Sequence, residues 1–422
     1  MSAVAIRRGW CPGALRPMPT GDGLLVRVRV PEYRLSSQSA EALAEAAETC
    51  GNGAIDLSAR ANFQIRGASD ATLADLHRRL DALGLLDPLG AEAEARQNVL
   101  GPALAGDDPS ALMDVRPPIA EIGAWLATDR RLHSLPAKFA VVVDDGGALP
   151  LDGIEADLRL LALGPDRFAF GIDADWIAEV AATAAREAVA AATLAFLSMR
   201  GTAPDPPRRM RELDPAKRKA VVAAVMRIDG SRPLSPLPKR RGGEPIALFN
   251  GVPLVGGRVA VALGLAYGRL NGTMLRALAD LSQRYGDGTL RLTPWRAVLL
   301  PGVEVGRASA LRAEAAALGM VTDAADARRR IAACVGNGGC ASALMATVAL
   351  ADRIAPLLPN PLTLHVSGCA KGCAKSGPSD VVLVGRSGGE IGIVRGGRAA
   401  DHPMQVSVDP NAVIEWFAAG MP

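Results

Sequence analysis

Histidine is nearly missing from this chain, with four in 422 residues, so a metal centre built on imidazoles has few places to be. An excess of one charge is missing too. The net charge is +3, which argues against a general nucleic-acid surface and leaves any anion site to local clusters. No apolar run is long and clean enough to cross a bilayer. The most apolar helical stretch, 176–199, is interrupted by Glu179, Arg186 and Glu187, and it reads as one packed alanine-rich helix, not a membrane span. The opening MSAVAIRRGWCPG lacks the apolar core of a signal peptide, so a cytoplasmic protein is expected. Six cysteines are too few to scaffold a chain of this size with disulfides, and in a reducing compartment cysteines more often bind metal or do chemistry. No G-x-G-x-x-G motif opens a helix after a strand, so a separate NAD(P)H-oxidising reductase is the expected electron source.

What is present is a globular composition, 49% apolar and 22% charged, and an internal repeat. At a shift of 235, Leu24, Val26, Val28, Leu35 and Leu43 fall on Val259, Val261, Leu263, Leu270 and Leu278. Gly51, Gly53, Ile55, Leu57, Ser58 and Gly67 then fall on Gly286, Gly288, Leu290, Leu292, Thr293 and Gly302, without a gap. A second block repeats at a shift of 232, where Ser110–Met113 reappears as Ser342–Met345 and His133 falls on His365. Each first block reads as strand, helix, strand, and each second block as a helix followed by a strand. The proline- and arginine-rich stretch 201–245 reads as the linker between copies. The expected architecture is α+β with pseudo-twofold symmetry.

Four of the cysteines form one block. Cys334 and Cys340 are spaced C-x5-C, and Cys369 and Cys373 follow as C-x3-C. Four thiolates suit zinc or an iron–sulfur cluster. Zinc usually takes closer pairs, buried thiols remain a third reading, and the [4Fe–4S] cluster is the favoured one. Cys340 is expected at a helix start, facing the positive end of the dipole. Cys369 and Cys373 would lie roughly 5–6 Å apart at Cβ if their segment turns helically. The neighbouring glycines would let the backbone approach an inorganic core and donate N–H groups to it. Shifted back by 232, the four fall on Pro102, Asp108, Ala137 and Val141, so only one copy carries thiols there. Cys11 and Cys50 have no partner spacing and read as core or pocket-wall residues.

C-x5-C…G-C-x3-C at the end of a duplicated half resembles the nitrite/sulfite reductase family, and with the repeat order the resemblance spans nearly the whole chain. It implies ferredoxin-like half-domains at 1–80 and 246–318, joined to larger α/β domains at 81–200 and 319–422, with the linker at 201–245. In that family the halves enclose siroheme beside a [4Fe–4S] cluster. SARANFQIRG is similar to the family's carboxylate-binding strand and offers Arg60, Asn62, Gln64 and Arg66. ARQNVLG offers Arg96 and Asn98, and PAKFA keeps Lys138 but has Ala140 where the family has a second lysine.

Those departures, the opening RGWCPGALRPMPTGDGLLVRVRVP, and HVSGCAKGCAKSGPSDVVLVG with Lys371 in its loop, resemble the family's precorrin-3B synthase branch. There the tetrapyrrole is substrate, and dioxygen is used to hydroxylate precorrin-3A and form a lactone in aerobic cobalamin biosynthesis. An octa-acid macrocycle calls for guanidinium forks, for which Arg27, Arg29, Arg60, Arg66 and Arg296 are candidates, with Trp295 as a stacking surface. Arg96, Lys138 and His365 are the catalytic candidates. The resemblance implies a mononuclear non-haem iron, for which His365 is the one ligand candidate, and a monomer is expected. The alternatives are a siroheme-dependent sulfite or nitrite reductase, or a non-catalytic iron–sulfur electron carrier or sensor.

Overall fold

The computed structural model describes residues 12–201, 206–234 and 248–421. Cys11, the start of the opening segment and parts of 201–245 lie outside the described residues.

The repeat appears as two small sheets, each backed by helices. In the first, Gly23–Val28, Phe63–Ala68 and Ala54–Leu57 lie side by side under the helix Ser37–Cys50. In the second, Val259–Gly264, Ala297–Val303 and Thr289–Leu292 are covered by Gly272–Tyr285. Both helices begin at repeat-related caps. The side chain of Ser36 accepts from Ser39 N–H, and that of Asn271 accepts from Met274 N–H, which satisfies an orphan donor of the first turn. The left-handed backbone recurs as well, at Glu32 and Tyr267 and again at Ala61 and Arg296.

Each sheet is completed by the other copy. Arg34–Ser36 pairs with Thr289–Leu292, and Arg269–Asn271 pairs with Ala54–Leu57. Leu35 lies opposite Leu290, and Leu270 lies opposite Ile55. The two long helices pack together across the pseudo-twofold axis, where Ser37 Oγ donates to the carbonyls of Ala279 and Gly288. A single apolar core runs through both copies, so neither half-domain has a core of its own.

Five strands of each larger sheet also match in order. Val99–Leu100, Val141–Asp144 and Leu158–Ala162 run parallel, and the antiparallel strands Arg167–Ile172 and Asp175–Ala181 follow. In the second copy, Ile331–Ala333, Leu364–Ser367 and Ser379–Gly385 are parallel, followed by Ile391–Gly397 and Gln405–Ser407.

This register corrects part of the repeat alignment. The shift of 232 holds for the first strand and the turn after it, but Val141 pairs as Leu364 does, a shift of 223. Leu112 N–H donates to Asp145 O where Leu344 N–H donates to Gly368 O, in the same new phase. His365, fully buried in its strand, corresponds to Val142, whereas His133 lies exposed in a loop. The counterparts of Cys369 and Cys373 are therefore Gly146 and Pro150, not Ala137 and Val141.

Two segments differ from their reading in isolation. The apolar stretch 176–199 is not one helix, because Asp175–Ala181 is a strand and Ala185–Arg200 the helix. Pairing with Arg167–Ile172 outweighs the helix propensity of its alanines. The stretch 201–245 is no open linker where it is described. It contributes a helix, Pro215–Met226, that buries Val221 and Val225, and Arg232–Pro233 extends the six-stranded sheet. Buried Arg209 bonds the buried Asp157 carboxylate from the same stretch.

Candidate functional site

Parallel strands bring their C-terminal ends to one edge of the sheet, and this topology gathers the four cysteines. Cys334 follows Ile331–Ala333, and Cys369 and Cys373 follow Leu364–Ser367 in the neighbouring strand. Cys340 lies in the glycine-rich turn between Cys334 and the next helix. That helix is Val348–Ile354, so Cys340 stands well before its start and receives no dipole. The Cys369–Cys373 loop is a non-helical turn in which Gly372 has φ +58°. The two loops are fastened together: Gly368 N–H donates to Cys334 Sγ at 3.1 Å, and Lys371 Nζ donates to Ser342 Oγ at 2.8 Å. Lys371, expected on substrate, therefore bridges the loops. A Cβ on Gly368 would lie 2.7 Å from Ala343 Cβ, so this approach needs glycine.

Among the described residues, no group of three or more His, Cys, Asp or Glu side chains is placed to hold a metal ion. The mononuclear iron implied by the resemblance therefore finds no ligand set. His365 lies beneath the loop, its Cε1 3.4 Å from the position a Gly372 Cβ would take. A cubane makes a different demand, because its thiolates bind separate irons around a core instead of meeting at one point. Four thiols on two tied loops, with a backbone N–H already on sulfur, suit such a core. Cys373 is exposed and the other three are half-buried. Cys50 is buried on its helix, against Asp75.

The candidate arginines separate into two groups. Arg66 is 4% exposed, and its guanidinium is bound to Asp22 at 2.8 Å, to Asp56 at 3.2 Å and to Gly339 O at 2.7 Å. It thus clamps the first half-domain to the residue before Cys340 and does not line the cavity described below. Arg296 does the same for the other loop, donating to Ile331 O and Ala374 O. Trp295 packs against the core beside it. Arg96 donates to Ala127 O, and Lys138 is exposed; neither belongs to the cavity wall.

The second group surrounds a cavity of about 550 Å³ between the 29–34 segment, residues 84–107 and the helix Arg116–Thr128. Arg29, Arg60, Asn62 and Asn98 line it. Arg60 donates to Asn98 Oδ1 at 2.6 Å while Asn98 Nδ2 donates to Phe139 O, so both are oriented in advance. Arg29 donates to Glu94 O, and burial depresses its pKa. Tyr33 donates to Val99 O and accepts from Gly101 N–H; burial pushes its phenol up to about 12, so it stays neutral. Arg27 and Gln64 face each other across paired strands between the cavity and the clamp. Sequence reasoning missed Arg34 and Arg291, which reach the wall only through the strand exchange.

Residues 16–83 and 255–318 match the family model described as the nitrite/sulfite reductase ferredoxin-like half domain. The chain belongs to the nitrite/sulfite reductase family, whose members are oxidoreductases. Within it, the chain is 35% identical to a precorrin-3B synthase from Sinorhizobium sp, over 95% of this chain and 86% of the relative. It is 27% identical to the chloroplastic ferredoxin–nitrite reductase of Zea mays, over 86% of this chain and 69% of that one. The solved structure of Mycobacterium tuberculosis NirA shares the fold, with a TM-score of 0.71 and 21% identity over 94% of this chain and 79% of that one. Among the described residues, no helix is long and apolar enough to cross a membrane.

Proposed function

We propose that the chain is a precorrin-3B synthase, using dioxygen to hydroxylate precorrin-3A and close a lactone on the macrocycle. The observation that carries this reading is one strand. At the Asn62 end it borders the arginine- and asparagine-lined cavity, and at the Arg66 end it grips the cysteine loop through Gly339. The two ends are about 13 Å apart at the usual strand rise, a span suited to a macrocycle with an edge near the cysteines.

Guanidinium groups at Arg29 and Arg60 would fork the substrate's carboxylates, with Asn62 and Asn98 fixing its orientation. Cys334, Cys340, Cys369 and Cys373 would hold a [4Fe–4S] cluster, which supplies single electrons when bound. The reducing equivalents would come from a separate NAD(P)H-oxidising reductase, and the protein would work as a cytoplasmic monomer. Ala140 in place of a second lysine, with Lys138 away from the cavity, weighs against anion reduction at a siroheme. A cavity of this size lined by arginines and asparagines weighs against a simple electron carrier.

The test is turnover of precorrin-3A by anaerobically purified protein under isotopically labelled dioxygen, with a reductant and reductase supplied. Label in the lactone product is expected. Tightly bound siroheme together with sulfite reduction would overturn the reading.

A further inference from the structure

The two strand-exchange junctions are related by the pseudo-twofold axis, yet their charges differ. At one, Arg269 lies opposite Asp56 and approaches its carboxylate at 3.7 Å. At the other, the repeat-related positions are Arg34 and Arg291, also directly opposite. Like charges opposed in an antiparallel pair are destabilising, and this pair lies in the cavity wall. Arg291 is 3% exposed; its Nη2 reaches Asp107 at 2.5 Å, but its Nη1 is buried without a hydrogen-bond partner. Leaving a buried charged donor unmade is costly. Among the described residues Arg34 has no carboxylate partner. Arg116 stands close by, already paired with Asp114. Of the other cavity acids, Asp87 and Glu94 already accept from Gln97 and from Ala14 and Leu15, and Glu32 is exposed.

We propose that Arg34 and Arg291 form an oxyanion subsite in the cavity, completed by a ligand carboxylate. On the function proposed above, that group is an acidic side chain of the tetrapyrrole, held apart from the Arg60–Asn98 corner. Because Arg34 comes from the first copy and Arg291 from the second, a bound ligand bridges the exchange junction.

Arg34→Asp tests this, because it installs the Arg–Asp pairing of the other junction. Arg34→Gln removes the charge alone. The unliganded Tm of the Asp variant should rise, since Arg291 gains a partner. Uroporphyrin, an octa-carboxylate, should bind both variants at least tenfold more weakly than the unaltered chain, and inorganic pyrophosphate should stabilise only the unaltered chain. Equal uroporphyrin affinity in all three proteins would overturn the subsite and leave the proposed function standing. If uroporphyrin binds none of them while pyrophosphate still stabilises only the unaltered chain, the subsite stands and the tetrapyrrole reading falls. If neither probe separates the three, the subsite is wrong.

Discussion

Replacing Arg66 by alanine should damage both the fold and the cysteine site. The side chain is 5% exposed and its partners Asp22 and Asp56 are 9% and 19% exposed, so truncation strands two largely buried carboxylates. Removing one member of such a network costs about 3–5 kcal/mol. Asp56 keeps a weak contact with Arg269 at 3.7 Å, which points to the lower end, about 3 kcal/mol. Urea unfolding followed by circular dichroism reads this cost. The lost bond to Gly339 O should also loosen the turn, so Cys340 in the apo-protein should alkylate faster. Arg66→Lys restores charge without the fork and should recover only part of both effects.

The pH dependence has a definite sign. Burial raises the Asp22 carboxyl, but hydrogen bonds from Arg66 and Thr20 more than reverse this and leave it below the ordinary range. A carboxyl depressed in the folded state contributes stability above its unfolded value and loses it as pH falls through the folded one. The gap between the variant and the unaltered chain should therefore narrow in acid. A variant within about 1 kcal/mol of the unaltered chain, with an unchanged Cys340 alkylation rate, would refute the clamp.

Serine at any of Cys334, Cys340, Cys369 or Cys373 should lower the iron and sulfide content of anaerobically purified protein, while Cys50→Ala leaves both unchanged. Asp145 is 1% exposed, and burial, aided by Asp144 and Asp108, pushes its carboxyl up to about 7. A raised carboxyl favours folding below its unfolded value and loses that contribution as pH rises through the folded one. Asp145→Asn, which keeps an acceptor for Gly147 N–H, should thus stabilise the protein at pH 8 by at most about 4 kcal/mol and far less at pH 4. Leu35 and Leu270 are buried at matching positions of the exchange, 3% and 6% exposed. Each, changed to alanine, should cost about 2–5 kcal/mol in urea unfolding, and both should loosen the whole paired core.

The legible features were those carried by local pattern. Alternating apolar residues at Leu24, Val26 and Val28, and again at Val259, Val261 and Leu263, marked the paired strands. The thiol spacing grouped cysteines that the structure places after neighbouring parallel strands. What failed depended on position between segments. His133 and His365 matched in sequence only because nine residues are absent between the strands of the second copy, and no local signal marks where a loop shortens. Arg66 and Arg296 were marked by their charge, but the carbonyls they bind, Gly339 and Ala374, lie 273 and 78 residues further along the chain, so their contacts with the cysteine loops could not be read locally.

By itself, then, the sequence determined the duplication, the α+β class and the four-thiol block, because periodicity and spacing are properties of neighbouring residues. Tertiary structure alone decided that two three-residue strands change places, which fuses the halves into one core and brings Arg34 against Arg291. Strands that short carry too little pattern to announce a partner more than 200 residues away. Their pairing is set by the burial of Leu35 and Leu270, a property of the folded whole.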